Sequence, residues 1–288
     1  MKKLLLSVAA FAMLFCVNQA TAQIEVPRSS PGSTITQEFG LMDIEVSYFR
    51  PKKKGRAIFG VGDDFLQKYG EIWRTGANSG TSITFGDDIS FGGKDVKAGE
   101  YMIYTVPGAD SWDVMLYGDL KLGGNVAGYK TEDEVLRVSV KPNKLSETVE
   151  ALTINISDIS EDNTTANLEI SWDKTSIKVP LKTSFDETIM ASIEKNTKVN
   201  PSNYIAAANY YFNTGKDINQ ALKWMDIYLA ENPTQFWNIH TKARMLAKKG
   251  DKKAAIATAQ ESLKLAKEST RGDFGYIKRN ETLIAELK

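Results

Sequence analysis

The chain has 288 residues with 36 basic and 36 acidic side chains, one cysteine and one histidine. A formal net charge of zero argues against a protein held on nucleic acid by its overall field, and 42% hydrophobic with 25% charged residues excludes a disordered, collagen-like or polytopic membrane chain. One Cys and one His cannot build a thiolate or imidazole zinc site, so neither a metal nor a cofactor is expected; this length suggests two domains.

Lys2 and Lys3 precede an uncharged apolar run over 4–17 that leads to Ala20, Thr21 and Ala22, the small-x-small pattern a signal peptidase accepts. The run is too short to cross a bilayer, so no membrane span is expected. Residues 1–22 are predicted to be a signal peptide, cleaved near Ala22 to release the protein to the periplasm or the extracellular space. Lipidation at Cys16 is disfavoured because Phe15 stands where a small residue is needed. Without the leader the chain has 34 basic and 36 acidic groups, a charge of −2, and no thiol, so disulfides cannot contribute to its stability.

Over 34–183 short runs of alternating apolar and polar residues are separated by Gly, Asn, Asp and Pro, the pattern of half-buried antiparallel strands. Strands are predicted at 35–39, 43–49, 81–85, 100–106, 112–117, 135–140, 149–156, 165–172 and 176–181. That number of strands in about 150 residues predicts a β domain over 23–183, built as an antiparallel β-sandwich or a partly open barrel. Pro180 within the last run places that strand at a sheet edge.

From 184 onward the period becomes helical, predicting an all-α helical-repeat domain over 184–288. Ser184 with Glu187 and Asp217 with Gln220 have capping-box spacing, and Asn200 with Pro201 suits a helix start. Ile218, Ala221, Leu222, Met225, Tyr228 and Leu229 form one apolar stripe. Gly215 and Gly250 lie 35 residues apart, and the two units are similar to tetratricopeptide repeats at Ala208, Tyr211, Ala221, Met225 and Pro233, then at Ala243, Leu246, Ala255 and Ala259. Two such units with a closing helix over 273–287 fall short of a self-sufficient solenoid core, which predicts docking on the β domain or on another chain. Charges of −6 over 23–183 and +4 over 184–288 are consistent with docking.

The densest chemistry lies in Arg50-Pro51-Lys52-Lys53-Lys54-Gly55-Arg56, with Phe59 and Gly60, and in the run from Tyr69 through Trp73-Arg74-Thr75-Gly76-Ala77-Asn78. With the AGEYMIYTVPG segment and the late VLRVSVKP segment, these residues give the chain from Ile35 to Leu181 its resemblance to the domain of unknown function 2911 family, exported bacterial proteins common in the Bacteroidetes. The resemblance implies a secreted β domain, followed in some members by helical repeats, and no defined activity.

Arg50, Arg56, Arg74 and Asn78 supply guanidinium and amide donors suited to an anion or a sugar, and Tyr69 and Trp73 offer stacking faces. These six residues are the candidate site for a small polar ligand or glycan. The same residues also fit a structural brace, with Trp73 in the core and Arg74 bonded to loop carbonyls. The run 52–56 reads as a solvated loop, and 123–131 departs from a phosphate loop because Tyr129 precedes Lys130. Asp63–Asp64, Asp87–Asp88 and 132–134 read as acidic turns without calcium-loop spacing, and His240 reads as a structural histidine. The sequence therefore predicts an exported binding protein, with a polar site on the β domain and helices for docking or protein partners. The alternatives are a secreted hydrolase using acids such as Glu71 or Asp113, and a structural component of an envelope assembly.

Overall fold

A computed structural model describes residues 26–197 and 200–288, so the expected leader and cleavage site lie outside the described residues. The chain divides between Ser184 and Phe185 into two units.

The first unit contains β1 (Gly32–Phe39), β2 (Met42–Phe49), β3 (Ala57–Gly60), β4 (Phe65–Lys68), β5 (Thr81–Phe85), β6 (Ile89–Phe91), β7 (Lys94–Val96), β8 (Gly99–Val106), β9 (Trp112–Tyr117), β10 (Glu134–Val140), β11 (Asn143–Ser157) and β12 (Thr165–Lys182). One antiparallel sheet has the order β1-β2-β5-β8-β9-β10 and a second has β11-β12-β6-β7, while β3 and β4 form a small parallel pair. The alternation expected from the sequence sorts Ile44, Val46, Ile83, Phe85, Ile103, Val114 and Leu116 into a core shared with Leu152, Ile154, Ile156, Leu168, Ile170 and Val179 of the second sheet. The Tyr48 hydroxyl ties the two layers, donating to the Ile154 carbonyl at 3.3 Å and accepting from the Ile154 N–H at 3.1 Å. This is an antiparallel β-sandwich.

The four strands missing from the sequence reading are all short. β6 and β7 have three residues each, too few to display a period, and are joined by Gly92-Gly93 at φ 58° and 84°. Both central residues have the positive φ of a type I′ turn, whose twist matches the flanking strands. The runs 165–172 and 176–181 are one strand, β12, which passes Asp173 in the left-handed conformation at φ 54°. The expected edge position of Pro180 is corrected by the topology, since β12 lies between β11 and β6. Proline is tolerated because pairing with β11 reaches only to Ser176, and the Pro180 carbonyl still accepts from Gly92 N–H at 2.7 Å.

The six-stranded sheet is also apolar on part of its outer face. Met102, Tyr104, Met115 and Tyr117 are buried there beneath the segment 118–133, which contributes Leu122 and Tyr129. The glycine-rich run 123–131 is thus a cover over the sheet.

Among the described residues the second unit has six α-helices, α1 (Asp186–Thr197), α2 (Tyr204–Asn213), α3 (Ile218–Glu231), α4 (Phe236–Lys249), α5 (Lys252–Glu268) and α6 (Tyr276–Leu287). From α2 onward each helix packs on the next, and α4 also meets α6. The unit has its own core of Ala208, Phe212, Ala221, Leu222, Met225 and Met245. Ala255, Ala259, Ser262 and Ala266 are buried along one face of α5, where small side chains allow close approach of its neighbours. The α4–α5 junction follows from its residue types. Gly250 at φ 94° donates to Ala247 O, Asp251 N–H reaches Leu246 O, and the Asp251 carboxylate then caps α5 through Ala254 N–H. Asp217 caps α3 through Asn219 N–H, the second helical position, and not through Gln220.

The Gly92-Gly93 turn gives a test with an internal control. A Cβ on Gly92 would lie 2.7 Å from Val138, whereas one on Gly93 meets nothing within 4 Å. Gly93→Ala is expected to cost about 1–2 kcal/mol from the left-handed backbone alone, and Gly92→Ala about 2–5 kcal/mol once overpacking is added. Urea denaturation of the two variants measures the difference.

Candidate functional site

Two backbone segments converge at one end of the sandwich. The first, 50–56, runs along β11: Lys53 N–H donates to Glu150 O at 2.7 Å and Leu152 N–H to Pro51 O at 3.0 Å. The second, 69–80, is held by a two-way pairing in which Trp73 N–H donates to Thr105 O at 2.7 Å and Thr105 N–H to Trp73 O at 2.9 Å. The Trp73 indole is 4% exposed, lies 5.8 Å from Trp172 in a stacked arrangement, and donates from Nε1 to Gly76 O at 3.1 Å.

Beyond Trp73 the chain coils through Thr75, Asn78 and Gly80 at φ 52°, 54° and 84°. Thr75 is fully buried, and a β-branched residue in the left-handed region is strained by about 1–3 kcal/mol. Its surroundings hold it there: its hydroxyl donates to Thr105 Oγ1 at 3.1 Å, and its carbonyl accepts from Thr81 Oγ1 at 2.5 Å. Gly124 of the cover packs against this coil, where a Cβ would lie 2.3 Å from Asn78 O.

Between the two segments is an open cavity of about 800 Å³. Of the six residues singled out from the sequence, Arg56, Trp73, Arg74 and Asn78 line it; Arg50 and Tyr69 do not. Arg50 turns to β11, donating from Nε to Leu152 O at 3.0 Å and from Nη2 to Thr153 Oγ1 at 2.9 Å. Tyr69 is half-buried away from the cavity, its N–H bonded to Gly60 O. Trp73 forms part of the floor with Trp172, and both are too buried to offer a stacking face.

Lys52 and Lys54, which the sequence left in a solvated loop, also line the cavity. The signal for them was the charge run itself, but it could not show that Lys53 alone turns away, to Asp173 at 2.6 Å. The lining therefore carries four cationic side chains, Lys52, Lys54, Arg56 and Arg74, and no acidic one. Arg56 is partly committed, donating to Lys53 O at 3.0 Å and Lys52 O at 2.5 Å. Arg74 donates from Nη1 to Asn78 O at 3.0 Å, and its other N–H groups have no partner among the described residues.

Neither acid named for a hydrolase lies in this cavity. Asp113 is ion-paired to Arg137 at 2.9 Å and accepts from Ser139 Oγ at 2.6 Å; Glu71 is exposed outside the lining. Beside Asp113, the Arg137 guanidinium holds the Glu134 carboxyl below its usual range. Burial pushes the Tyr104 phenol up to about 12, so it stays protonated at neutral pH. Among the described residues no group of His, Cys, Asp and Glu is placed to hold a metal ion, and no helix is long and apolar enough to cross a membrane.

Residues 30–181, the sandwich with both cavity-lining segments, match the model of a family described as protein of unknown function, DUF2911. The chain belongs to this family. No curated protein matches it. In this DUF2911 domain the Arg50-Pro51 and Trp73-Arg74 segments that gave the resemblance frame the cavity, while the AGEYMIYTVPG segment supplies β8, on which Trp73 is pinned.

His240 lies in the helical unit and is 7% exposed. Burial is the main cause that lowers its pKa; the charges of Arg244 and Arg279 act the same way, against the hydrogen bond with Asn280.

Two measurements follow. Arg50→Ala removes hydrogen bonds from a charged donor and is expected to lose about 1.5–3 kcal/mol of stability in urea unfolding. Because His240 in the folded chain resists protonation, the unfolded state binds the proton more readily, so stability is complete above about pH 6.5 and declines as pH falls through 6.5. Urea midpoints between pH 7.5 and 5 should show this decline, and His240→Gln should remove it; carboxylates contribute only at lower pH.

Proposed function

We propose that this chain is an exported binding protein whose β unit holds an anionic ligand, either a small polar molecule or an acidic glycan, in the cavity between 50–56 and 69–80. The observation that carries this reading is the lining: about 800 Å³ bordered by Lys52, Lys54, Arg56 and Arg74 without a single acid. A concave site of one charge sign concentrates ligands of the other, and a volume in this range suits a ligand of drug or oligosaccharide size. The strained, over-determined Thr75 beneath the lining supports it, since such backbone persists mainly where function holds it. Export is supported by the basic, then apolar, then small-residue order of residues 1–22.

The helical unit is proposed to be a tetratricopeptide-like module for protein partners. Its support is the succession of packed helices, the contact of α4 with α6 across α5, and the left-handed glycines Gly215 and Gly250, which precede the capping Asp217 and Asp251 by two residues and one.

Titration calorimetry of the protein with oligogalacturonate, against neutral oligosaccharide, tests the β-unit reading. Lys52→Glu/Lys54→Glu changes only exposed side chains without ion pairs among the described residues, so it should leave the melting temperature unchanged. Binding of the acidic ligand should fall by about tenfold or more and weaken with added salt. Equal affinity for charged and neutral oligosaccharides would remove the basis of the reading.

A further inference from the structure

A second cavity, of about 570 Å³, lies between α4 and α6, wholly within the helical unit. Its chemistry is set by a buried relay of hydrogen bonds. Asn280 is fully buried, and its Nδ2 donates to Tyr276 O and to Ser262 Oγ, both at 2.8 Å. A backbone carbonyl can only accept, so the Asn280 amide has one possible orientation. The Ser262 hydroxyl is directed onward to Phe236 O at 2.7 Å. Asn280 Oδ1 therefore faces His240 Nδ1 at 2.7 Å, and that nitrogen must carry the proton.

In the neutral ring this leaves Nε2 as an acceptor. His240 lines the cavity, and Nε2 has no partner among the described residues. Around it stand Arg244, Lys278 and Arg279, opposed by one acid, Glu286. The Arg279 guanidinium is stacked 4.8 Å over the Tyr276 ring, and Arg244 lies 5.3 Å over Phe212. Neither arginine is in an ion pair among the described residues.

We propose that this cavity is a binding site for a carboxylate with a neighbouring O–H or N–H group, the carboxylate meeting Arg244 and Arg279 and the neighbouring donor bonding to His240 Nε2. Guanidinium forks match the two oxygens of a carboxylate. Sulfate and the dianion of a phosphate monoester have no proton to give Nε2, and a free ammonium would be repelled by three cations. Hydroxy acids and acylated amino acids, including a peptide terminus, both have the required chemistry. The site is independent of the β-unit cavity, so either can fail alone.

Because His240 is the only histidine, its ring nitrogens can be followed without ambiguity by ¹⁵N NMR of the full chain at pH 7.5. The free protein should show the proton on Nδ1. Gluconate, N-acetyl-L-alanine or both should shift the Nε2 resonance saturably, at least about tenfold more tightly than acetate, sorbitol or inorganic sulfate, a difference of 1.4 kcal/mol or more. Response to gluconate alone identifies the hydroxy-acid source, and response to N-acetyl-L-alanine alone the acylated one. Arg244→Gln/Arg279→Gln replaces two exposed side chains and should abolish the shift while the Nδ1 tautomer persists. A proton on Nε2 in the free protein, no response to either probe, an equal response to sulfate or acetate, or a response surviving in the double variant would overturn the proposal.

Discussion

The β unit depends on the burial of Trp73. An indole removes on the order of 200 Å² of apolar surface from water, and its N–H needs a partner once inside. Both demands are met at one place: the ring packs among Phe59, Trp112 and Trp172, the N–H reaches Gly76 O, and the backbone pairs in both directions with Thr105. With Trp73 fixed, the next residues have little freedom. The chain must reverse within a few positions to enter β5 at Thr81, and it does so through Thr75, Asn78 and Gly80 in left-handed conformations. That reversal brings Arg74 and Asn78 to the cavity wall. The core anchor and the proposed binding surface are one construction, so the brace and the site considered from the sequence are two faces of the same loop.

The arginines divide between these tasks by their surroundings. Arg50 meets Leu152 O and Thr153 Oγ1 and is consumed by them. Arg74 uses a single N–H on the coil it belongs to, which leaves the rest of its fork available. Arg56 stands between, with two N–H groups on its own loop. Guanidinium donors occupied by backbone carbonyls stiffen a surface, and those left over give it charge. A cavity lined by both kinds is held in shape before any ligand arrives, which reduces the ordering cost of binding.

In the helical unit the corresponding constraint is polar. Small residues at 255, 259, 262 and 266 bring the helices close enough that any polar group between them must be paired. Ser262, Asn280 and His240 meet that requirement as a chain of hydrogen bonds starting from carbonyls that can only accept. A buried network whose members are bonded to one another specifies one arrangement of helices, and here it also specifies one tautomer, with only His240 Nε2 left open to the cavity.

The amino-acid sequence by itself determined the change from period two to period 3.6 near residue 184, the two core faces of the sandwich, the glycine–aspartate helix junctions and the family, because each is written in residues close along the chain. It also singled out Arg56, Trp73, Arg74 and Asn78, four residues that line the cavity between 50–56 and 69–80. It could not separate Arg50 from Arg74, or Lys53 from Lys52 and Lys54, since those fates depend on partners about 100 residues away on β11 and β12. Three-residue strands are too short to show a period, and the position of Pro180 inside a sheet depended on where a neighbouring strand stopped pairing. The burial of His240 agrees with a histidine packed for structure, but the open lone pair on its other nitrogen follows from an asparagine 40 residues later, a contact that only the packing of α4 and α6 decides.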